Sequence, residues 1–147
     1  MKRATITEKI ITAKIAKDLK WADIAKEVGA SKEWVTAACL GQMAFNEEQA
    51  ATVAKLFDLD ENEQKWLTRV PYKGSLPSQV PTDPLIYRLY ELVNVYGMTI
   101  KELIHEEFGD GIMSAIDFDM DIQREAHSDG DRVQITMSGK FLPYKEY

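Results

Sequence analysis

One segment, DPLIYRLYELVNVYG at residues 83–97, limits what this 147-residue chain can fold into more than any other. Its spacing predicts a helix on which apolar and aromatic side chains cover most of the circumference. Only Arg88, Glu91 and Asn94 interrupt this apolar surface. A surface helix of a monomer normally has a polar half rather than a narrow polar stripe. The segment therefore predicts a helix that further protein covers on most sides.

Composition and charge indicate an ordinary globular protein and argue against a nucleic-acid-binding module. The chain is 45% hydrophobic and 29% charged, with a formal net charge of −6. Residues 1–70 hold equal numbers of basic and acidic side chains, and residues 71–147 carry the whole excess of negative charge. Neither part has the basic surplus that neutralises phosphates in nucleic-acid complexes.

Two further observations bear on the cellular compartment. Cys39 is the only cysteine, so no intramolecular disulfide can form, which suits a reducing cytoplasm. The opening MKRATITEKI lacks the apolar stretch of a signal peptide, and no run approaches the roughly 20 apolar residues that span a bilayer. We expect a soluble, cytoplasmic protein with no membrane partner.

Residues 1–70 predict a bundle of short helices. Helix starts are indicated at five places: near Ile6, at Trp21, and after Ser31, Asn46 and Asp60. A turn with Gly29 separates the second helix from the third, as in the helix-turn-helix of repressors. The third helix would then read DNA, but it lacks the arginine, asparagine and glutamine side chains that contact base edges. DNA binding is therefore the less favoured interpretation of this region.

The segment VPYKGSLPSQVPTDP marks a boundary between two domains. Its prolines prevent regular structure, so residues 71–82 are predicted to be a linker. Thr82 or Asp83 can cap the helix that follows. The sequence thus predicts a helical domain at residues 1–70 and a second domain at residues 83–147.

The second domain is predicted to contain two helices and a hairpin. Gly97 is expected to end the first helix, and Thr99 to cap a second helix that reaches Phe108. The glycine-flanked GDGIMSAI predicts a turn, HSDGD predicts the hairpin turn, RVQITMSG the return strand and KFLPYKEY a tail. Alternation in the first strand predicts a buried apolar face, formed by Ile116, Phe118, Met120 and Ile122.

This second domain is too short to bury its own apolar surface. A two-stranded hairpin alone is marginally stable in water, and the helices beside it are already apolar on most sides. A second copy of the same chain supplies the missing cover, so we expect an obligate oligomer in which the hairpin pairs across a two-fold axis. The predicted fold class is α+β: a helix-turn-helix-type bundle, followed by a small helix-and-hairpin domain that pairs across a dimer.

Arg88 and Glu91 are neighbours on one face of the predicted helix, and two interpretations fit them. On an exposed helix they form an ion pair of about 0.3–0.5 kcal/mol with no further role. Within an interface between chains, Glu91 would orient Arg88, and the remaining donors of the guanidinium would hold a small anion. Composition alone favours the first interpretation, and the apolar surroundings favour the second.

Ser114 is the second candidate for anion binding. It lies in GDGIMSAI, where glycines let the backbone approach a ligand closely, and its hydroxyl and nearby amides are suited to an anion. The alternative is that Ser114 only begins a strand. Other groups fit no site, because His105 and His127 lack metal-ligand spacing and the aspartates of the first strand lack EF-hand spacing. The residues alone thus indicate an oligomer that binds small anions, with catalysis left open.

Three segments resemble the cyanase (cyanate hydratase, or cyanate lyase) family. They are PTDPLIYRLYELVNVYGMTIKELIHEEFGDGIMSAIDF, the upstream VTAACLGQMA and the tail GKFLPY. The combination of YRLYE with a later GDGIMSAI is specific, and the similarity extends over essentially the whole chain. The catalytic arginine, glutamate and serine of the family fall on Arg88, Glu91 and Ser114, and none of the three is substituted.

The resemblance implies an enzyme that decomposes cyanate with bicarbonate as co-substrate. The products are carbon dioxide and carbamate, and carbamate decays to ammonia and more carbon dioxide. Family members are homodecamers built from five dimers, with active sites between dimers and with no metal or organic cofactor. The resemblance implies that Arg88 and Ser114 bind substrate and that Glu91 orients Arg88, while proton transfer by Glu91 stays open.

Two other functions remain as alternatives to this enzyme. One is a helix-turn-helix regulator that binds DNA through residues 1–70, which a gel shift that weakens steeply with salt would indicate. The other is an anion-binding oligomer without catalysis. The substitution Arg88→Leu separates this last alternative from the enzyme, because only the enzyme has a turnover to lose.

Overall fold

The computed structural model describes residues 2–74 and 78–146, and these contain six helices and one two-stranded antiparallel sheet. The α+β class predicted from the sequence is confirmed. The chain divides into two compact units, Met1–Ser75 and Leu76–Tyr147. Part of the predicted linker, residues 75–77, lies outside the described residues, and the domain boundaries stay predictions.

The helices of the first unit begin and end where the capping residues indicate. They are α1 (Arg3–Ala16), α2 (Trp21–Val28), α3 (Lys32–Cys39), α4 (Glu47–Leu56) and α5 (Glu61–Leu67). The side chains of Ser31, Asn46 and Asp60 accept hydrogen bonds from backbone amides at the starts of α3, α4 and α5. Gly29 has a left-handed φ of 78° and ends α2. The five helices predicted for this region are confirmed.

These helices enclose a core within a single chain. Its fully buried apolar side chains include Ile6, Ile10, Ile24, Val35, Val53 and Leu67. Cys39 is buried among them, and burial raises the pKa of its thiol to about 12. The buried carboxylate of Glu63 accepts hydrogen bonds from the Lys9 ammonium and the Asp60 amide. These core side chains are therefore shielded from water within a single chain.

One long helix begins the second unit. This helix, α6 (Pro84–Phe108), is capped by Asp83, whose carboxylate accepts two backbone amides of the first turn. The prediction that the helix ends at Gly97 and restarts at Thr99 was wrong. A glycine inside a helix costs only about 1 kcal/mol relative to alanine, and the helical hydrogen bonds on both sides outweigh that cost. A Cβ at Gly97 would meet only Val93 Cγ1, at an ordinary contact distance of 3.7 Å.

A long hairpin completes the second unit. Its strands are β1 (Gly111–Glu125) and β2 (Arg132–Pro143), which pair antiparallel across the predicted turn. Both strands are longer than predicted. GIMSAI belongs to β1 rather than to a turn, and KFLP belongs to β2 rather than to a tail. The turn and the tail were wrongly predicted because pairing between distant residues decides where these strands end.

A wide bulge interrupts the strand pairing beside Ser114. Met113 pairs with Phe141 on one side of the bulge. On the other side Phe118 pairs with Gly139, so four residues of β1 lie opposite a single residue of β2. Gly139 permits this approach, because a Cβ there would lie 2.4 Å from the Ser114 carbonyl oxygen and 2.6 Å from Met113 Cγ.

The bulge also changes which side chains share a face of the hairpin. Paired residues lie on the same side of a sheet, so the register puts Met113 and Phe118 on one face. In a regular strand these two residues, which are five positions apart, would point to opposite faces. This apolar face carries Met113, Phe118, Met120, Ile122, Val133, Ile135, Met137 and Phe141. Ile116 was predicted on it, but this residue lies inside the bulge and is 98% exposed. That part of the prediction was wrong.

The second unit has no apolar core within one chain. Among its described residues, none of the apolar side chains of α6, β1 and β2 is buried, and Leu85 and Val133 are more than 70% exposed. The structure thus agrees with the argument that this unit cannot cover its own apolar surface. Pairing across a dimer stays a prediction. Within the described ranges, no helix combines the length and the apolar character needed to cross a membrane.

Candidate active site

Arg88 and Glu91 form an ion pair one turn apart on α6. Arg88 Nη1 lies 3.4 Å from Glu91 Oε2, which is long for a charge-assisted hydrogen bond. The two side chains are 67% and 51% exposed in the single chain. An ion pair this exposed contributes about 1 kcal/mol or less to stability. Any functional role of this ion pair would therefore depend on a ligand that the guanidinium binds, rather than on stability.

Arg88 also contacts the aromatic ring that precedes it. Arg88 Cζ lies over the Tyr87 ring, 5.6 Å from the ring centroid, within the range of a cation–π interaction. Tyr87 lies in turn against Tyr90, with the ring centroids 6.3 Å apart and an interplanar angle of 34°. Sequence reasoning treated both tyrosines as apolar flanks. The spacing gave no signal, because adjacent side chains on a helix do not normally face each other.

Ser114 lies at the bulge, where its side chain is bound to the backbone. The residue is 5% exposed, and its Oγ accepts hydrogen bonds from the amides of Ile116 and Asp117, each at 3.0 Å. A serine hydroxyl has two acceptor lone pairs and one donor proton. These two bonds leave the proton as the group that can contact a ligand. Ser114 does not begin the strand, since β1 begins at Gly111.

Within one chain, the structure brings together two of the three residues predicted to form the site. Arg88 and Glu91 are paired, but neither makes a hydrogen bond to Ser114 among the described residues. The amides predicted to bind an anion beside Ser114 are, for Ile116 and Asp117, already bonded to its Oγ. A single chain therefore presents a cationic part of a site and a separate hydroxyl donor.

A cavity of about 380 Å³ lies in the second unit and was not indicated by the sequence. Its lining comes from the end of α6, the start of β1 and the residue after β2, and comprises Lys101, Ile104, His105, Asp110, Gly111, Ile112, Met113 and Tyr144. His105 is half-buried at this cavity, and its Nδ1 lies 3.3 Å from Lys101 Nζ. Seven of the eight lining residues fall within residues 101–113, and only Tyr144 comes from a distant part of the chain.

The acidic side chains of β1 lie on the polar face of the hairpin. Asp119 and Asp121 pair with Ser138 and Thr136 in the strand register. Among residues 2–74 and 78–146, no group of three or more His, Cys, Asp or Glu side chains lies close enough together to hold a metal ion. Asp119 and Asp121 are therefore exposed side chains on a polar strand face.

Comparisons with known proteins cover nearly the whole chain. Residues 3–71 match the family model described as "Cyanate hydratase, N-terminal", and residues 78–146 match the one described as "Cyanate lyase C-terminal domain". Cyanate hydratases of Methylibium petroleiphilum and Variovorax paradoxus are 71% and 69% identical over 147 residues, covering 100% of each chain. The crystal structure of cyanase from T. urticae is 36% identical with a TM-score of 0.81, covering 94% of this chain and 96% of that chain.

Proposed function

The chain belongs to the cyanate lyase family, and from this premise we propose that it decomposes cyanate in a bicarbonate-dependent reaction at Arg88, Glu91 and Ser114. The family resemblance noted in the sequence is confirmed, because the two family models together match most of the chain. The chain is thus an enzyme of the cyanate hydratase type.

The proposed reaction joins two small anions. An oxygen of bicarbonate attacks the cyanate carbon, a new C–O bond forms, and the cyanate nitrogen takes up a proton. The former bicarbonate carbon then leaves as carbon dioxide when its bond to the bridging oxygen breaks, and protonation of the nitrogen gives carbamate. Carbamate takes up one more proton and decays to ammonia and carbon dioxide. No nucleophile from the protein is required.

Arg88 supplies the charge that this reaction needs. Two unit negative charges 4 Å apart repel each other by about 4 kcal/mol at an effective dielectric constant of 20. A guanidinium that is removed from water, and repeated by a neighbouring copy, offsets this repulsion and stabilises charge in the transition state. Holding both anions in contact lowers the entropic part of the barrier by roughly 7–11 kcal/mol at best.

Glu91 and Ser114 have different roles in this proposal. Glu91 orients the Arg88 guanidinium by accepting one of its N–H groups, at 3.4 Å. Ser114 donates its hydroxyl proton to a substrate oxygen or nitrogen, since its two lone pairs already accept the amides of Ile116 and Asp117. Ser114 is therefore proposed as a donor only, and the reaction needs no metal or organic cofactor.

The proposal also includes an assembly. The exposed apolar face of the hairpin and the exposed apolar surface of α6 support a homodecamer of five dimers, in which the hairpins pair and the sites lie between dimers. Separate copies would then supply the Arg88–Glu91 pair and Ser114. The first unit would act as a helix-turn-helix-type packing domain, and the protein would be cytoplasmic.

One observation supports the proposed function more than any other. The Arg88–Glu91 ion pair, with its 3.4 Å contact, lies on a helix whose apolar side chains are exposed in the single chain. Oligomerisation that covers those side chains would also remove the pair from bulk water. A guanidinium that is shielded from water requires an anionic partner.

The test is the release of ammonia from cyanate with and without bicarbonate, together with the native mass of the assembly. We expect ammonia only when both anions are present. Arg88→Leu should lower turnover by about 100- to 1,000-fold, the scale of losing a main electrostatic stabiliser, while the native mass is kept. Lys65→Leu is a matched control, because Lys65 in the first unit also forms an exposed ion pair, with Glu61 at 2.8 Å.

Three results would contradict the proposal. Absence of ammonia from the well-folded native assembly, in the presence of both anions, would exclude the enzyme. Equal loss of turnover in Arg88→Leu and Lys65→Leu would show that a general loss of positive charge, rather than this site, is responsible. Binding of cyanate without turnover would instead indicate a non-catalytic anion-binding oligomer.

A further inference from the structure

Arg88 is held at two points by its own helix. Glu91 contacts Nη1 at 3.4 Å, and the Tyr87 ring lies 5.6 Å from Cζ. Adjacent side chains on a helix normally diverge, so the helix backbone alone does not bring the guanidinium over this ring. The Tyr90 ring packs against Tyr87 and limits the positions that the Tyr87 ring can take.

The two contacts differ in what they leave to a ligand. A carboxylate occupies an N–H donor of the guanidinium and neutralises part of its charge. An aromatic face attracts the cation through the ring quadrupole and occupies no N–H donor. Restraint by Tyr87 therefore keeps both the charge and the donors of Arg88 available to an anion. A 3.4 Å contact to Glu91 alone is too long to fix the guanidinium firmly.

We propose that Tyr87 is a positioning residue for Arg88, whose ring face holds the guanidinium ready to bind the anionic substrate. This inference rests on the proposed function, since Arg88 is the group through which Tyr87 acts. A free arginine side chain has many rotamers, and anion binding must otherwise remove this rotamer entropy. Restraint before binding lowers that cost for substrate and transition state alike. The effect is expected mainly in KM rather than in kcat.

The first experiment compares Tyr87→Leu, Tyr87→Phe and a distant Tyr72→Leu in the full-length assembly. Tyr72 is 85% exposed in the first unit and controls for the loss of a tyrosine. We expect Tyr87→Leu to raise the KM for cyanate roughly 3- to 30-fold, the range of a cation–π interaction, with kcat within about two-fold. Tyr87→Phe keeps the ring face and should stay near the parent, as should Tyr72→Leu.

A second experiment varies the negative charge on the ring face of residue 87 while the size of the side chain stays nearly constant. Tyr87→Phe is compared with Tyr87→monofluoro-, difluoro- and trifluorophenylalanine, which weaken the negative ring face stepwise at nearly constant size. The KM for cyanate should rise with each fluorine. A KM that is the same across the series would overturn the inference. This comparison decides the matter even where Tyr87→Leu fails to assemble.

A calorimetric titration with cyanate in bicarbonate-free buffer separates this inference from the proposed function. Weaker cyanate binding along the fluorine series supports the role of Tyr87 independently of turnover. If the parent protein releases no ammonia, the proposed function fails, while the titration still tests Tyr87. A lower native mass with unchanged cyanate affinity in Tyr87→Leu would show a merely structural role and overturn the inference.

Discussion

The two units of this chain remove apolar side chains from water to very different extents. The first unit buries residues such as Ile6, Val35 and Leu67 completely. In the second, the apolar side chains of α6 and of the hairpin stay exposed within one chain. Length does not explain the difference, because the units are nearly equal in size.

The layout of the elements explains the difference. Several short helices, each with one apolar stripe, can surround a common centre. One helix that is apolar on most sides, with one two-stranded hairpin, has more apolar surface than its own elements can cover. All residues proposed for the site, including Tyr87 and Ser114, lie in this incompletely covered unit. Assembly can therefore enclose the Arg88–Glu91 pair, which a single chain leaves exposed.

The largest expected effect comes from a substitution that prevents another chain from covering the apolar surface of the second unit. Ile135→Asp introduces a charge into the apolar face of the hairpin, and an unpaired buried charge costs several kcal/mol. We expect the native mass to fall to that of smaller species and ammonia release to fall about 100-fold or more. Gln134→Asp is the control, because Gln134 lies on the polar face opposite the uncharged Gln123. An unchanged assembly of Ile135→Asp in native mass spectrometry would show that this face is not an interface.

An intermediate effect tests whether the core of the first unit is self-sufficient. Leu67→Ala removes a fully buried side chain and should lower the free energy of unfolding by about 2–5 kcal/mol. Val70→Ala, at an exposed position, is the control and should change the free energy of unfolding by less than about 0.5 kcal/mol.

Tryptophan fluorescence during denaturant unfolding measures this change. The three tryptophans, Trp21, Trp34 and Trp66, all belong to the first unit, so the signal reports on that unit alone. The unfolding midpoint should not depend on protein concentration. A midpoint that rises with concentration would mean that the first unit also depends on assembly.

The smallest expected effect is confined to acid conditions. The Lys9 ammonium and the Asp60 amide hold the pKa of the Glu63 carboxyl below its ordinary value of 4.5. A pKa lowered by folding stabilises the folded state above the unfolded value, and this contribution is lost as pH falls through the folded value. The first unit should therefore lose stability below pH 4.5. Both Glu63→Gln and Lys9→Met should flatten this acid dependence, and an unchanged slope in both variants would contradict it.

The first unit could be predicted from the sequence because its signals are local. Asn46 with Gln49, and Asp60 with Glu63, form reciprocal capping boxes within four residues of chain. Gly29 likewise needs only its own left-handed backbone to end a helix. Such signals do not depend on what distant residues do.

The second unit was predicted less well because distant residues decide its details. Glycine is common at the ends of helices, and for that reason Gly97 was predicted to end one. The helical turns on either side of Gly97 nevertheless keep α6 continuous. The bulge beside Ser114 depends on Gly139, which lies on the other strand. In the site, spacing alone predicted the Arg88–Glu91 pair. It could not predict the hydrogen bonds of the Ser114 hydroxyl, because the bulge creates them.

The bulge makes the number of residues in β1 matter as much as their identity. Four residues of β1 stand opposite one of β2, and this unequal count puts Met113 on the same side as Phe118. Deleting one of the four would turn every side chain beyond that point to the opposite side, whereas deleting two would preserve the sidedness. Insertions and deletions here are therefore tolerated, if at all, in pairs.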